Sequence, residues 1–184
     1  MEYLDVMIDL ETTGTQPERA GILQLAAVRF DYASGQIDPN MFNAAMSPAP
    51  GRLWDFSTIV WWREEAGRMA HLNTLMKTGR PADVVMKELI AWVGNPSQPV
   101  RMWAKPTSFE GPFLSSLFEQ LGMQNCFHYR HMRDINTWIS ALRGDPAQDR
   151  SAVEVPFEGQ PHNALFDALH DVRVLLAAKD FYAK

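Results

Sequence analysis

Asp9-Leu10-Glu11-Thr12-Thr13-Gly14 closes a mostly apolar run that begins at Tyr3. A run of this kind predicts a buried strand from Tyr3 to Leu10. The period of two in an extended chain puts Asp9 and Glu11 on one side of it. Two carboxylates side by side repel each other, so a purely structural role explains them poorly. A divalent cation between them removes the repulsion, and hard oxygen ligands suit Mg²⁺ or Mn²⁺. From average residue usage, Asp-x-Glu-Thr-Thr-Gly arises by chance in roughly one chain in ten thousand, which makes coincidence a weak explanation.

The complementary stretch lies near the other end, at His162-Asn163-Ala164-Leu165-Phe166-Asp167. Asn163 to Phe181 reads as one helix, on which Ala164, Leu165, Ala168, Leu169, Val172, Leu175 and Leu176 form a single apolar stripe. Asp167 and Asp171 sit one turn apart on a flank of that stripe, where a carboxylate can look along the core's edge toward the strand carrying Asp9. His162 precedes the helix, on the Gly159-Gln160-Pro161 loop. A His followed five residues later by an Asp occurs in roughly one chain in five of this size, so it carries weight only together with Asp9 and Glu11.

The rest of the chain fits one α/β domain over residues 1–184. Its 46% hydrophobic content, with six Trp and ten Phe, provides for a sizeable core and argues against disorder. No apolar run reaches the ~20 residues of a membrane span, and Glu2 and Asp5 stand where a signal peptide would be basic. The single Cys126 excludes an internal disulfide and a cysteine metal cluster, fits a reducing cytoplasm, and is expected to be a small buried apolar residue. A net charge of −5 weakens tight duplex binding but leaves phosphoryl chemistry open, because two divalent cations would add four positive charges at the phosphate.

Strands are expected at Ile22 to Phe30, Ile37 to Ala45 and Val100 to Ala104, the first three strands of the chain forming an antiparallel meander. Helices are expected from Thr58 to Ala66 with Ser57 as N-cap, from Ala82 to Val93 after Pro81, from Ser108 to Leu121, and from Asp134 to about Leu142. The polar segment Gly144 to Gly159 reads as a mobile loop.

The order Asp-x-Glu, then an acid on a mid-chain helix, then His-x-x-x-x-Asp resembles the DEDDh 3′–5′ exonucleases, the superfamily of ribonuclease T and the proofreading subunit of bacterial DNA polymerase. The resemblance runs from Leu4 to Leu176. It is closest to the small phage-like and mycobacterial exoribonuclease branch, through Trp61-Trp62 and Arg133-Asp134. It implies a ribonuclease H-like mixed sheet, three antiparallel N-terminal strands plus parallel strands, flanked by helices. One departure stands out. The middle segment reads Trp103-Ala104-Lys105-Pro106-Thr107-Ser108-Phe109-Glu110, with Glu where the family usually has Asp and Lys105-Pro106 where Gly or Asn is common.

On this resemblance Asp9, Glu11, Glu110 and Asp167 are the metal ligands, holding two Mg²⁺ or Mn²⁺ ions about 3.5–4 Å apart around one phosphate. His162 would be the general base, since imidazole ordinarily titrates near 6.5. Thr12 and Thr13 would meet the terminal sugar of a single-stranded RNA or DNA 3′ end. Trp61, Trp62 and Phe109 would stack on its bases or serve as core. Asp171 is expected on the helix surface or behind the ligands, His170 facing solvent, and Arg133-Asp134 as an ion pair or helix cap. A homodimer is an expectation from relatives. The rival reading is a catalytically silent nucleic-acid-binding module, its second metal lost with the Asp-to-Glu change at 110.

Overall fold

Alternation along the first strand decides how the layers form. In the computed structural model, which describes residues 3–182 (the last three by backbone alone), β1 (Asp5–Thr12) sends Val6, Ile8 and Leu10 into one core and Met7 into another. Asp9 and Glu11 follow Met7 onto the second side. β2 (Ile22–Phe30) runs antiparallel to β1, and β3 (Phe42–Ala45) antiparallel to β2. β4 (Arg101–Ala104) pairs parallel with β1, and β5 (Met132–Asp134) parallel with β4. The strand order is β3-β2-β1-β4-β5.

Helices cover both faces. α3 (Ala82–Val93) and α4 (Thr107–Gln120) bring Val85, Leu89, Phe113 and Leu117 onto the Val6–Ile8–Leu10 side, with Leu25 and Met102. α5 (Ile135–Arg143) and α6 (Ala164–Tyr182) bring Ile135, Ile139, Val172 and Leu175 onto the Met7 side, with Val28 and Trp103. Each fully buried Leu or Phe of this kind contributes roughly 1.5–3 kcal/mol. The small Ala164 and Ala168, both fully buried, let α6 approach the strands closely. At the far end of β1 the buried Asp5 accepts hydrogen bonds from Arg101, Trp103 Nε1 and the Tyr32 N–H.

A bulge between Glu11 and Thr12 drops Leu23 from the β1–β2 ladder. Leu23 instead packs under α1 (Phe56–Arg63) and α2 (Ala66–Thr78) with Trp62, Leu72 and Leu75. Among the described residues no helix is long and apolar enough to cross a membrane.

Several sequence expectations need correction. The third strand is only Phe42–Ala45, because Pro39 and Asn40 break it and Ile37 makes an isolated bridge to Phe30. α1 begins at Phe56 after Asp55, one residue ahead of the expected Ser57 cap. α4 begins at Thr107, whose N–H is capped by the Asp134 carboxylate rather than by Ser108. α2 and β5 were not foreseen. The segment 144–159 is tied down by Arg150 to Asp171 and by Val153 and Val155 against the α6 core, so it is no free loop.

Candidate metal centre and nucleic-acid cleft

Asp9, Glu11 and Asp167 come together where β1 ends beside the first turn of α6. Each offers a carboxylate oxygen, and these atoms all lie within 4.8 Å of one another. Asp167 is oriented by the start of its own helix: its Oδ2 accepts the Asn163 N–H at 3.0 Å. Glu110 arrives from the first turn of α4. It is only 3% exposed, and its Oε2 has no hydrogen-bond partner among the described residues. Asp171 lies one turn beyond Asp167, as buried as Glu110 and ion-paired with Arg150. The expectation of Asp171 on the helix surface is therefore corrected, since α6 turns that flank inward.

Burial raises the pKa of Asp9 well above the usual carboxylate range, and the charges of Glu11, Glu110, Asp167 and Asp171 push the same way. Glu11 is pushed up to about 8, by burial first and Asp167 second. Glu110 also rises to about 8 through burial, with Asp171 adding to the shift and Lys105 opposing it. Asp167 and Asp171 are raised by burial, with His162 and Lys105 opposing the shift at the first and Lys105 and Arg150 at the second. Three carboxylates within 4.8 Å of one another, with the buried and orphaned Glu110 Oε2 acting on the same Asp9, fit an all-oxygen site for a hard divalent cation such as Mg²⁺ or Mn²⁺.

Beside the cluster a cleft of about 470 Å³ is lined by Glu11, Thr12, Gly14, Thr58, Trp61, Trp62 and Phe109, among others. The Thr12 hydroxyl donates to the Gly14 carbonyl at 2.7 Å. A Cβ at position 14 would come within 2.2 Å of the Asp55 carboxylate, so a larger residue there would displace the Asp55 side chain. Thr13 does not reach the cleft as a free group: it is fully buried, its hydroxyl donating to the Leu53 carbonyl and accepting the Gly21 N–H. Trp62, 1% exposed, forms the cleft's floor within the α1–α2 cluster and has no open face for a base. Phe109 is half-buried against Phe113, with ring centres 4.7 Å apart.

His162 stands exposed on the loop before α6. It is the only non-glycine residue with positive φ among those described, at 60°. His170 does not simply face solvent; it packs against Phe157, and its Nδ1 is buried. Arg133 and Asp134 form no pair among the described ion pairs: Asp134 caps helices instead, and Arg133 Nη1 donates to the Arg130 and Met132 carbonyls. Burial lifts the Cys126 thiol to about 12, which leaves it unsuited to act as a nucleophile.

Three site residues escaped the sequence reading. Gln24 is the cross-strand neighbour of Glu11. Its amide nitrogen donates to Asn43 Oδ1 and Asn163 Oδ1, and its oxygen accepts the Ala164 N–H and meets His71 Nε2 at 2.9 Å. This amide ties the start of α6 to the strand beside the acids. The available signal was a lone amide within an apolar strand, whose buried polar atoms require partners. His71, on the unforeseen α2, and Arg150 carried no such signal.

A mixed five-stranded ribonuclease H-like sheet with acids at these positions defines a DEDDh-superfamily 3′–5′ exonuclease domain. The 3′-5′ exoribonuclease Rv2179c-like domain matches residues 4–178, and the chain belongs to that family. No curated protein sequence matches it. Among solved structures, S. pombe Pop2p in its Mg²⁺- and Mn²⁺-bound form is similar with a TM-score of 0.75 and 12% identity, covering 98% of this chain and 84% of that one. E. coli exonuclease I in complex with a dA16 oligonucleotide gives 0.75 and 14% identity over 96% of this chain and 40% of that one. Cell-death related nuclease 4 (CRN-4) gives 0.71 and 16% over 98% and 65%. At these identities the likeness is one of fold, and the chain spans about two fifths of the exonuclease I chains.

Proposed function

We propose that this protein is a metal-dependent 3′–5′ exonuclease that releases nucleoside monophosphates from single-stranded RNA or DNA ends, in the reducing cytoplasm. The observation that supports this most is the convergence of Asp9, Glu11 and Asp167 within 4.8 Å. Asp9, Glu11 and Asp167 would hold one divalent cation, and Asp9 with Glu110, through water, a second. When bound, such ions acidify a water and neutralise charge on the scissile phosphate. His162 takes a proton from the attacking water, whose oxygen bonds to phosphorus as the P–O3′ bond breaks, and the leaving 3′-oxygen takes a proton from solvent to become a 3′-hydroxyl. Thr12 and Phe109, on the wall of the cleft, meet the terminal sugar and base.

The test is stepwise release of mononucleotides from a 5′-labelled single strand in Mg²⁺ or Mn²⁺, stopped by EDTA. Asp9→Ala should lower kcat at least ~10³-fold, and unaltered turnover in that variant rules the mechanism out. His162→Ala should keep metal binding and lose ~10²–10⁴ in kcat, with partial recovery at high pH where hydroxide replaces the base. A silent binding module is the second reading, favoured by Glu110 in place of Asp and by the Lys105 charge acting on Glu110, Asp167 and Asp171. It is distinguished by strand binding with no metal-dependent release.

A further inference from the structure

The loop that carries His162 does not hang free. The His162 ring meets Trp61 edge to face, with centres 4.8 Å apart and planes at 85°. The Arg68 guanidinium lies over the same indole, 4.3 Å from its centre, and is itself held by Glu64 and Glu65 at the start of α2. Trp62 braces Trp61 from a further side, 5.1 Å away at 78°. Two residues before His162, Gln160 Nε2 donates to the Gly67 carbonyl at 3.3 Å. These contacts join the loop to the α1–α2 corner.

We propose that Trp61, backed by Arg68, is a positioning residue, the seat that holds the His162 imidazole toward the acid cluster. The proposal rests on the reading of His162 as general base. An exposed side chain on a loop otherwise exchanges rotamers on the picosecond-to-nanosecond scale, whereas proton transfer needs a ring held in place. Edge-to-face contact with an indole supplies directional attraction, and a guanidinium on that indole fixes it in turn. The left-handed backbone at His162 is a sparsely populated conformation that persists only where surrounding contacts enforce it, and Trp61 and Gln160 supply them. Trp61 also borders the cleft, but Arg68 covers one face of its ring, so stacking on a substrate base is not its main role.

Two measurements test this. In the unmutated protein, NMR cross-relaxation between the His162 ring protons and the Trp61 indole protons should be present; its absence overturns the proposal whatever the kinetics. Trp61→Leu should lower kcat ~10-fold or more, as small misplacements of catalytic groups do, while KM stays within about twofold and Mn²⁺ affinity is unchanged. Trp61→Phe, which keeps an aromatic partner, should recover most of that loss. The opposite split, a raised KM at parental kcat, would make Trp61 a base-stacking residue and overturn the proposal. His162→Ala separates the two levels. A parental rate there removes the base assignment and the positioning role with it, whereas an inactive His162→Ala without the cross-relaxation removes the positioning role alone.

Discussion

Glu110 stands where the family resemblance leads one to expect Asp, and its buried Oε2, without a partner among the described residues, makes the difference testable. If the carboxylate serves the metal centre, Glu110→Asp should keep or raise kcat, because it restores the shorter reach that the family resemblance implies. Glu110→Gln should lose most activity, since it removes the charge at nearly constant shape. Were Glu110 only a helix N-terminal acid, neutralising it would cost about 0.3–1 kcal/mol and leave turnover alone. Comparing kcat with thermal midpoint in both variants separates the cases. Glu11 and Glu110 also set a pH dependence, each rising from an ordinary 4.5 to about 8 in the folded chain. Between those values the native state binds more protons than the unfolded one. Their contribution to stability is thus fully present below about pH 4.5 and lost as pH rises through about 8. In EDTA the thermal midpoint should fall across that window, and Glu11→Gln should flatten the fall. A midpoint that climbs from pH 5 to 8 in EDTA would contradict the electrostatics described here.

At the scale of elements, one carboxylate joins two helices. Asp134 Oδ1 accepts the Thr137 N–H at 2.9 Å at the start of α5, and Oδ2 accepts the Thr107 N–H at 3.0 Å at the start of α4. Asp134→Ala removes both caps and should cost about 1–3 kcal/mol, since a single cap contributes roughly 0.5–2. Glu110 lies three residues past Thr107, so kcat should fall as well; urea midpoint and turnover read the two effects. The cap on α5 was legible, because an Asp opens an amphipathic run. The cap on α4 was not, since it links residues 27 apart in sequence. α2 was missed because its inward residues, Leu72 and Leu75, make a thin stripe beside the polar Arg68 and His71. β5 is three residues long, too short to show a period, and exists because β4 offers it a parallel partner.

At the scale of the whole molecule, bringing five acids together from three segments, β1, α4 and α6, opposes folding until a cation is present. Mg²⁺ or Mn²⁺ should therefore raise the thermal midpoint, by an amount equivalent to about 2.7 kcal/mol at a hundredfold excess over Kd. Asp9→Ala should abolish the increment and match or exceed the parent's stability in EDTA, because it relieves repulsion; calorimetry with and without metal reads both. The sequence by itself determined the period-two placement of Asp9 and Glu11, the apolar stripe of α6 with Asp167 on its flank, and the meander of the first three strands. These follow from local periodicity and from which residues avoid water. Only the tertiary structure decided that Thr13 and Trp62 turn inward, that Gln24 ties α6 to β2, that Asp171 is buried against Arg150, and that Trp61 meets His162. Each of those depends on which distant surfaces meet, and a buried polar group shows its partner only once the chain has closed around it.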